Sequence, residues 1–359
     1  MLGFARGQGF GDAAGADDEG ARGVVGHGEV SFAGLEFHVA FGGGELHAHG
    51  ARGVEFERRA VVEAREEHEL VVVDAGADAG AAAAEGHVAA PNGGDEALLD
   101  RLMAEHRFDA VVHFAGSIVV PDSVRDPLGY YLNNTVKSRM LMACAVKAGI
   151  PRFIFSSTAA VYGNVPAEPV FEDRPPAPVS PYGASKLMTE QMLKDSAIAY
   201  GLQYIALRYF NVAGCEFPDL ADTAELNLIP IAIAQLKRGD NPIVFGDDYP
   251  TPDGSCIRDY VHVGDLARAH LMAVDYLDAH TREYATFNVG SGSGASVLEV
   301  LDALKSASRI DFVPEIKARR AGDPPRLVAD TTRIEKVFGL KAEHDLEQIV
   351  SSAWDAANN

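Results

Sequence analysis

The chain has 359 residues, enough for one large two-part domain or two ordinary ones around a sizeable core. Its formal net charge of -21, with no basic run anywhere, argues against a nucleic-acid or membrane-surface partner. Cys144, Cys215 and Cys256 lack metal-ligand spacing, no apolar run approaches membrane-span length, and the N-terminus lacks a charged head before an apolar core; a soluble, cytoplasmic protein is expected.

Composition breaks near residue 93. Residues 1–93 contain no Lys, Ile, Thr, Tyr, Trp or Cys, yet hold 19 of the 36 Gly and 6 of the 12 His, with 16 acidic against 6 basic residues. Periodicity is poor, and only residues 69–74 (Glu-Leu-Val-Val-Val-Asp) read as a strand. One explanation is a disordered Gly/Ala-rich extension. The other, favoured because six Phe and many Val do not suit disorder, is a GC-rich coding region read out of frame. Resequencing the gene decides between them.

From Asp95 the pattern is regular. Asp95 caps an amphipathic helix ending near Arg107, and residues 109–114 form a short apolar strand stopped by Ala115-Gly116. A helical pattern over 127–148 closes at Gly149, with Pro151 just beyond. Residues 152–156 are the next strand, 185–200 the next helix, ended by Gly201, and 203–210 another strand. After Asn211 the pattern loosens, with helices at 228–236, at 263–277, around Asp302 and at 346–357. Strands alternating with such helices predict an α/β, Rossmann-like, doubly wound parallel sheet, followed by a smaller C-terminal lobe. The expected organisation is an anomalous segment at 1–93, a nucleotide-binding core with the catalytic helix at 94–211, and a mainly substrate-binding lobe at 212–359.

Ligands of such sheets bind beyond the carboxyl ends of the strands. Three ends converge in small or polar residues: Phe114-Ala115-Gly116, Ser156-Ser157-Thr158 and Phe210-Asn211. Between the last two lies Ser180-Pro181-Tyr182-Gly183-Ala184-Ser185-Lys186. A tyrosine and a lysine four apart, if helical, stack one turn above the other, and an ammonium beside a phenol favours the phenolate. Alone, this spacing describes many surface pairs. Arg258 alone could be an ion pair with Asp259, Asn211 and Asn227 turn residues, and His113 and His262 structural rather than metal ligands. No metal site is expected.

In combination and order, the motifs resemble the UDP-glucose 4-epimerases, a family of extended short-chain dehydrogenases/reductases. The resemblance rests on His113-Phe114-Ala115-Gly116, Tyr130-Tyr131-Leu132-Asn133-Asn134, Phe155-Ser156-Ser157-Thr158, residues 180–186, Leu207-Arg208-Tyr209-Phe210-Asn211, Phe245-Gly246-Asp247 with Pro250-Thr251-Pro252-Asp253-Gly254, and Arg258-Asp259-Tyr260-Val261-His262. It covers roughly three quarters of the chain. It implies bound NAD, a UDP-sugar substrate and reversible interconversion of UDP-glucose and UDP-galactose through a 4-keto sugar. Tyr182 would be the base on the sugar 4-hydroxyl, Lys186 its ammonium partner on the nicotinamide ribose, and Thr158 a hydrogen-bonding partner of the same sugar oxygen. Phe114, Ala115, Gly116, Asn133, Ser156 and Phe210 would line the NAD cleft. Asn211, Asn227, Phe245, Arg258, Arg320 and Asp323 would meet the sugar nucleotide. A homodimer through the helix at 127–148 is implied as well.

The chain departs from the family where NAD's pyrophosphate should sit. The expected Gly-x-x-Gly-x-x-Gly loop falls near residue 41, where Gly44, His47 and Gly50 keep the spacing but the middle glycine is a histidine and Glu45 adds a carboxylate. Asp74 lies too near His113 for the acidic residue that meets the adenosine ribose, and Asn92 replaces another acid. The chain is therefore expected to bind NAD poorly or not at all, and a silent UDP-sugar-binding product is the alternative function. A 4,6-dehydratase is disfavoured because Ala159-Ala160, not an acidic pair, follow Thr158. Leu327 stands where the family has a bulky tyrosine that excludes N-acetylated sugars.

Overall fold

A computed structural model describes residues 27–32, 35–40, 70–73, 96–105, 108–165, 169–222, 224–320 and 323–358. The candidate loop at 41–50, Asp74, Asn92 and Asp95 lie outside the described residues. So does the question of a frame error over most of 1–93.

In chain order, β1 (His27–Phe32) and β2 (Leu35–Ala40) pair antiparallel, and β3 (Leu70–Val73) realises the strand expected at 69–74. Then come α1 (Glu96–Glu105), β4 (Ala110–His113), α2 (Val120–Arg125), α3 (Pro127–Tyr130) and α4 (Lys137–Ala148). β5 (Arg152–Thr158), α5 (Pro181–Tyr200) and β6 (Gln203–Tyr209) follow. The second half holds β7 (Asn211–Ala213), α6 (Leu228–Arg238), β8 (Ile243–Phe245), β9 (Ile257–Arg258), β10 (Tyr260–His262) and α7 (Val263–Ala279). It ends with β11 (Tyr284–Val289), β12 (Ala295–Ser296), α8 (Val297–Ser308), β13 (Glu315–Lys317), β14 (Arg326–Leu327), α9 (Thr332–Phe338) and α10 (Leu346–Ala357).

Five strands form the main sheet in the order β11-β6-β5-β4-β3, every pair parallel. Alternate residues of β4, β5 and β6 enter different cores, so both faces of the sheet's centre are apolar. Val111, Phe153, Phe155, Tyr204 and Ala206 pack with α1, α4 and α5 through Met103, Leu141 and Leu193. Val112, Ile154, Ile205 and Leu207 pack with α7 and α9 through Leu266, Ala269, Ala273 and Ile334. This is the doubly wound arrangement the alternating pattern predicts. The chain returns to this sheet after residue 212, since α7 and β11 belong to it while the segments around them build the smaller lobe.

The helix expected at 127–148 is interrupted. Asp126 caps α3, Tyr131–Val136 forms one wide π turn, and α4 then runs to Gly149, whose φ of 76° closes it in the left-handed conformation. The smaller lobe has its own core, in which Ile229, Ile233, Val300, Leu304, Ile349 and Val350 join α6, α8 and α10.

Candidate functional site

The tyrosine–lysine helix starts earlier than its apolar pattern indicates. Ser180 is extended (φ -130°, ψ 152°), its Oγ accepts from Gly183 N at 3.2 Å, and Pro181 occupies the first turn. α5 therefore begins at Pro181 rather than Ser185, placing Tyr182 and Lys186 on consecutive turns of one buried stripe. Gly183 presses on the short 3-10 turn Ala159–Tyr162, where a Cβ would stand 2.5 Å from the Ala160 carbonyl oxygen. Thr158 ends β5 and caps that turn, its Oγ1 accepting from Ala160 N at 3.2 Å. Helix and strand end meet closely enough that Thr158 bears on the Tyr182 phenol. Burial pushes the Tyr182 phenol above its ordinary value, and the neighbouring Thr158 hydroxyl pulls the other way.

Lys186 is 2 % exposed; its Nζ donates to the Ser156 carbonyl at 3.0 Å and lies 5.0 Å from the centre of the Phe155 ring. Burial, rather than this ammonium, therefore sets the direction of the Tyr182 shift. Beneath Lys186, Ser156 Oγ meets His270 Nε2 at 2.9 Å while His270 Nδ1 meets the Leu266 carbonyl at 2.9 Å. A carbonyl can only accept, so Nδ1 carries the proton and Nε2 accepts from the serine. Burial drops His270 to about 4, keeping it neutral, and Phe114 packs on its ring at 4.7 Å.

Across the cleft, Gly116 follows β4. A Cβ there would lie 3.0 Å from Asn134 Oδ1 and 3.3 Å from Lys186 Nζ, so glycine permits the close approach. Of the asparagine pair on the π turn, Asn133 Nδ2 donates to Ser117 Oγ at 2.9 Å and remains half-buried. Asn134, missed from the sequence, is the buried one. Its Oδ1 accepts from Ser117 N at 2.7 Å, and its Nδ2 donates to Ser117 O at 2.9 Å and to Ser185 Oγ at 3.1 Å. The adjacent-asparagine motif was the available signal, but choosing between the two requires the π turn. Ala115 and Phe210 are buried at the same strand ends.

The smaller lobe brings a second group together. β8 presents Phe245, with the Arg320 guanidinium 4.1 Å from its ring centre. Arg258 on β9 pairs with Asp323. It does not pair with Asp259, the bland alternative: Asp259 is fully buried and accepts from Ser291 N at 2.6 Å, Ser291 Oγ at 2.7 Å, and Gly292 N and Ala329 N at 3.0 Å each. Asn211 opens β7, and its backbone N–H donates to the Asp259 backbone carbonyl at 2.9 Å. Asn227 is exposed at the start of α6 and its side chain does not cap the helix. Leu327, on β14, is half-buried against the cluster of Tyr162, Val170 and Phe210 beside the Thr158 turn.

Both histidines singled out from the sequence are buried. His113 Nε2 meets Ser138 Oγ at 2.7 Å. His262 stands with Glu216 and His344, a grouping no sequence spacing reveals. Its Nδ1 accepts from Gly264 N at 3.1 Å, its Nε2 meets Ser352 Oγ at 3.2 Å, and its ring stacks on His344 at 3.9 Å and 20°. Near-parallel rings cannot both point a lone pair at one ion, so this is a helix cap and a stacked pair. No helix among the described residues is long and apolar enough to cross a membrane.

A parallel doubly wound sheet whose strand ends face a buried tyrosine–lysine helix, with a threonine at the neighbouring strand end, defines the short-chain dehydrogenase/reductase class of nucleotide-dependent proteins. More narrowly, the chain belongs to the NAD dependent epimerase/dehydratase family, whose sequence model matches residues 58–290. It is 49% identical over 269 residues to a UDP-glucose 4-epimerase of Azospirillum brasilense, covering 73% of this chain and 77% of the relative. Among solved structures, the UDP-Glc/GlcNAc 4-epimerase of Campylobacter jejuni is 43% identical with a TM-score of 0.65, over 74% of this chain and 82% of that one. The UDP-glucose 4-epimerase of Brucella ovis in complex with NAD is 40% identical with a TM-score of 0.69, over 73% and 82%.

Proposed function

We propose that the chain is an isomerase that interconverts UDP-glucose and UDP-galactose at the sugar C4. The observation that carries this reading is the junction of Tyr182, Thr158 and Lys186 at the end of β5, opposite Gly116. That junction fits the nicotinamide end of NAD: Gly116 keeps the floor open next to Lys186 Nζ, and Phe114, Ala115, Asn133, Ser156 and Phe210 would line the rest of it. When bound, NAD supplies a two-electron acceptor at the sugar C4. Tyr182 removes the 4-hydroxyl proton and later returns it, and Thr158 holds the same oxygen in line. Lys186 would hold the nicotinamide ribose, and turning its ammonium from the Ser156 carbonyl toward the phenol would offset the burial that raises Tyr182. Arg258 and Arg320 would exchange Asp323 and Phe245 for the pyrophosphate, with Asp323 left to the uridine ribose, Phe245 to the uracil, and Asn211 and Asn227 to the sugar nucleotide. The test is a coupled UDP-galactose to UDP-glucose assay; no turnover with NAD added at saturating levels rejects the activity.

A second reading is favoured by residues 41–50, where His47 replaces the middle glycine and Glu45 adds a carboxylate. On this reading NAD binds weakly and the chain holds UDP-sugars without turnover. Stoichiometric NAD in the purified protein, by absorbance or mass spectrometry, refutes it. The same assay run on UDP-N-acetylgalactosamine tests whether Leu327 admits N-acetylated sugars. The assembly we propose is a homodimer through the exposed apolar side chains of Val124, Leu128, Leu132 and Val136 on α2, α3 and the π turn.

A further inference from the structure

The buried stripe of α5 does not end at Lys186. One turn further stands Glu190, and its carboxylate is gripped from two strands at once. Arg208 on β6 donates Nε to Oε1 at 2.9 Å and Nη2 to Oε2 at 2.6 Å, a two-pronged pair with side chains only 6 % and 7 % exposed. Ser157 on β5 donates its hydroxyl to the same Oε1 at 2.5 Å. Ser157 and Arg208 are direct partners in the β5–β6 register, so the two strands present a donor pair on one face of the sheet. The guanidinium is itself fixed from behind: it lies 4.8 Å from the Tyr162 ring centre and donates to the Glu172 carbonyl at 3.4 Å, while Tyr162 OH donates to Asn288 Oδ1 at 2.7 Å.

Stability alone does not account for this arrangement, because a well-packed apolar pair of similar volume generally serves as well as a buried ion pair or better. A directional, two-pronged grip does what apolar packing cannot: it sets the rotation and the axial position of a helix against a sheet. Ser157 immediately precedes Thr158, and Glu190 lies eight residues, about 12 Å of helix, from Tyr182. The grip therefore ties the strand that carries Thr158 to the helix that carries Tyr182.

We propose that Glu190, held by Arg208 and Ser157, is a positioning residue that sets the register of α5 on β5 and so sets where the Tyr182 phenol stands relative to Thr158. The inference rests on the proposed role of that pair in epimerisation. Neutralisation by Arg208 also leaves no free carboxylate one turn from Lys186, so the grip orients the helix without competing for the ammonium.

The test uses the full ligand-free chain with tyrosines labelled with carbon-13 at the ring Cζ, whose shift reports phenol hydrogen bonding. The Tyr182 resonance is identified as the one lost in Tyr182→Phe, and Thr158→Val gives its position without the neighbouring Thr158 hydroxyl. In the paired variant Glu190→Leu/Arg208→Met, the protein is expected to melt at or above the wild-type temperature while the Tyr182 resonance moves toward its Thr158→Val position. In turnover of UDP-galactose, kcat should fall about 10–100-fold with KM little changed. A folded paired variant whose Tyr182 resonance stays at the wild-type position overturns the proposal. If the paired variant does not fold, Ser157→Ala decides in its place, since it keeps the ion pair and cuts only the tether to β5: movement in the same direction supports the grip, and none overturns it. The resonance is read without cofactor or substrate. A chain without epimerase activity would count against the proposed function and leave this reading intact.

Discussion

Replacing Gly183 with alanine tests how closely α5 must sit on the Thr158 turn. The new Cβ would stand 2.5 Å from the Ala160 carbonyl oxygen and 3.1 Å from both its carbon and Pro178 Cβ. Carbon–oxygen contacts settle near 3.3–3.6 Å, so the helix start must withdraw by about 1 Å. The obstacle is backbone, which cannot swing aside as a flexible side chain can. Two terms compete in stability: alanine gains up to about 1 kcal/mol in helix propensity, and overpacking costs about 1–3 kcal/mol. The net expectation is a modest loss, with a melting temperature lower by a few degrees. Activity is affected more, because a displacement of about 1 Å at the reacting groups costs on the order of 100-fold. A thermal melt with the coupled UDP-galactose assay at saturating NAD measures both. Gly183→Ala with wild-type kcat would refute the claim that this contact sets the Tyr182–Thr158 distance.

Three further outcomes are expected. His270, held to about 4 against an ordinary 6.5, is neutral in the folded protein while the unfolded chain takes up a proton; its stabilisation is complete above pH 6.5 and falls through the window down to pH 4. The full loss is about 3 kcal/mol, and urea melts at neutral and mildly acidic pH should show a shallower pH slope for His270→Gln than for wild type; equal slopes would reject this. Arg258→Ala should weaken UDP binding in calorimetry by about 10–100-fold, the size of a lost charge-assisted contact, and unchanged affinity would remove Arg258 from the site. Leu128→Glu/Leu132→Glu should sediment as a monomer under conditions where the wild type is a dimer, and an unaltered dimer would place the interface elsewhere.

The main sheet was legible because strands buried on both faces are short and continuously apolar, as Phe153, Ile154 and Phe155 show, and Gly and Pro mark the helix ends. The start of α5 was not, because Pro181 and Gly183 look like loop chemistry until the Ser180 cap is seen to turn them into a first turn. Lys186 could be placed on the stripe by spacing, but its direction toward the Ser156 carbonyl depends on β5, which spacing does not contain. The same holds for Glu190 and Arg208: each sits in a recognisable segment, yet their pairing joins a helix to a strand 18 positions on. Asn134 was passed over for Asn133 because an uninterrupted helix gives no reason to prefer either. The grouping of Glu216, His262 and His344 comes from three distant segments and has no local signature.

The place of β11 in the sheet has a consequence for synthesis. It pairs with β6 only after the intervening segments, from β7 through α7, have been made. During translation, the outer edge of β6 therefore stays unpaired while roughly 75 residues emerge, several seconds at about 5–20 residues per second. Exposed parallel edges recruit other strands, so the nascent chain passes through an interval in which β6 is open to wrong partners. Slowing elongation across residues 212–289 should lengthen that interval and lower the soluble yield, without altering the finished protein.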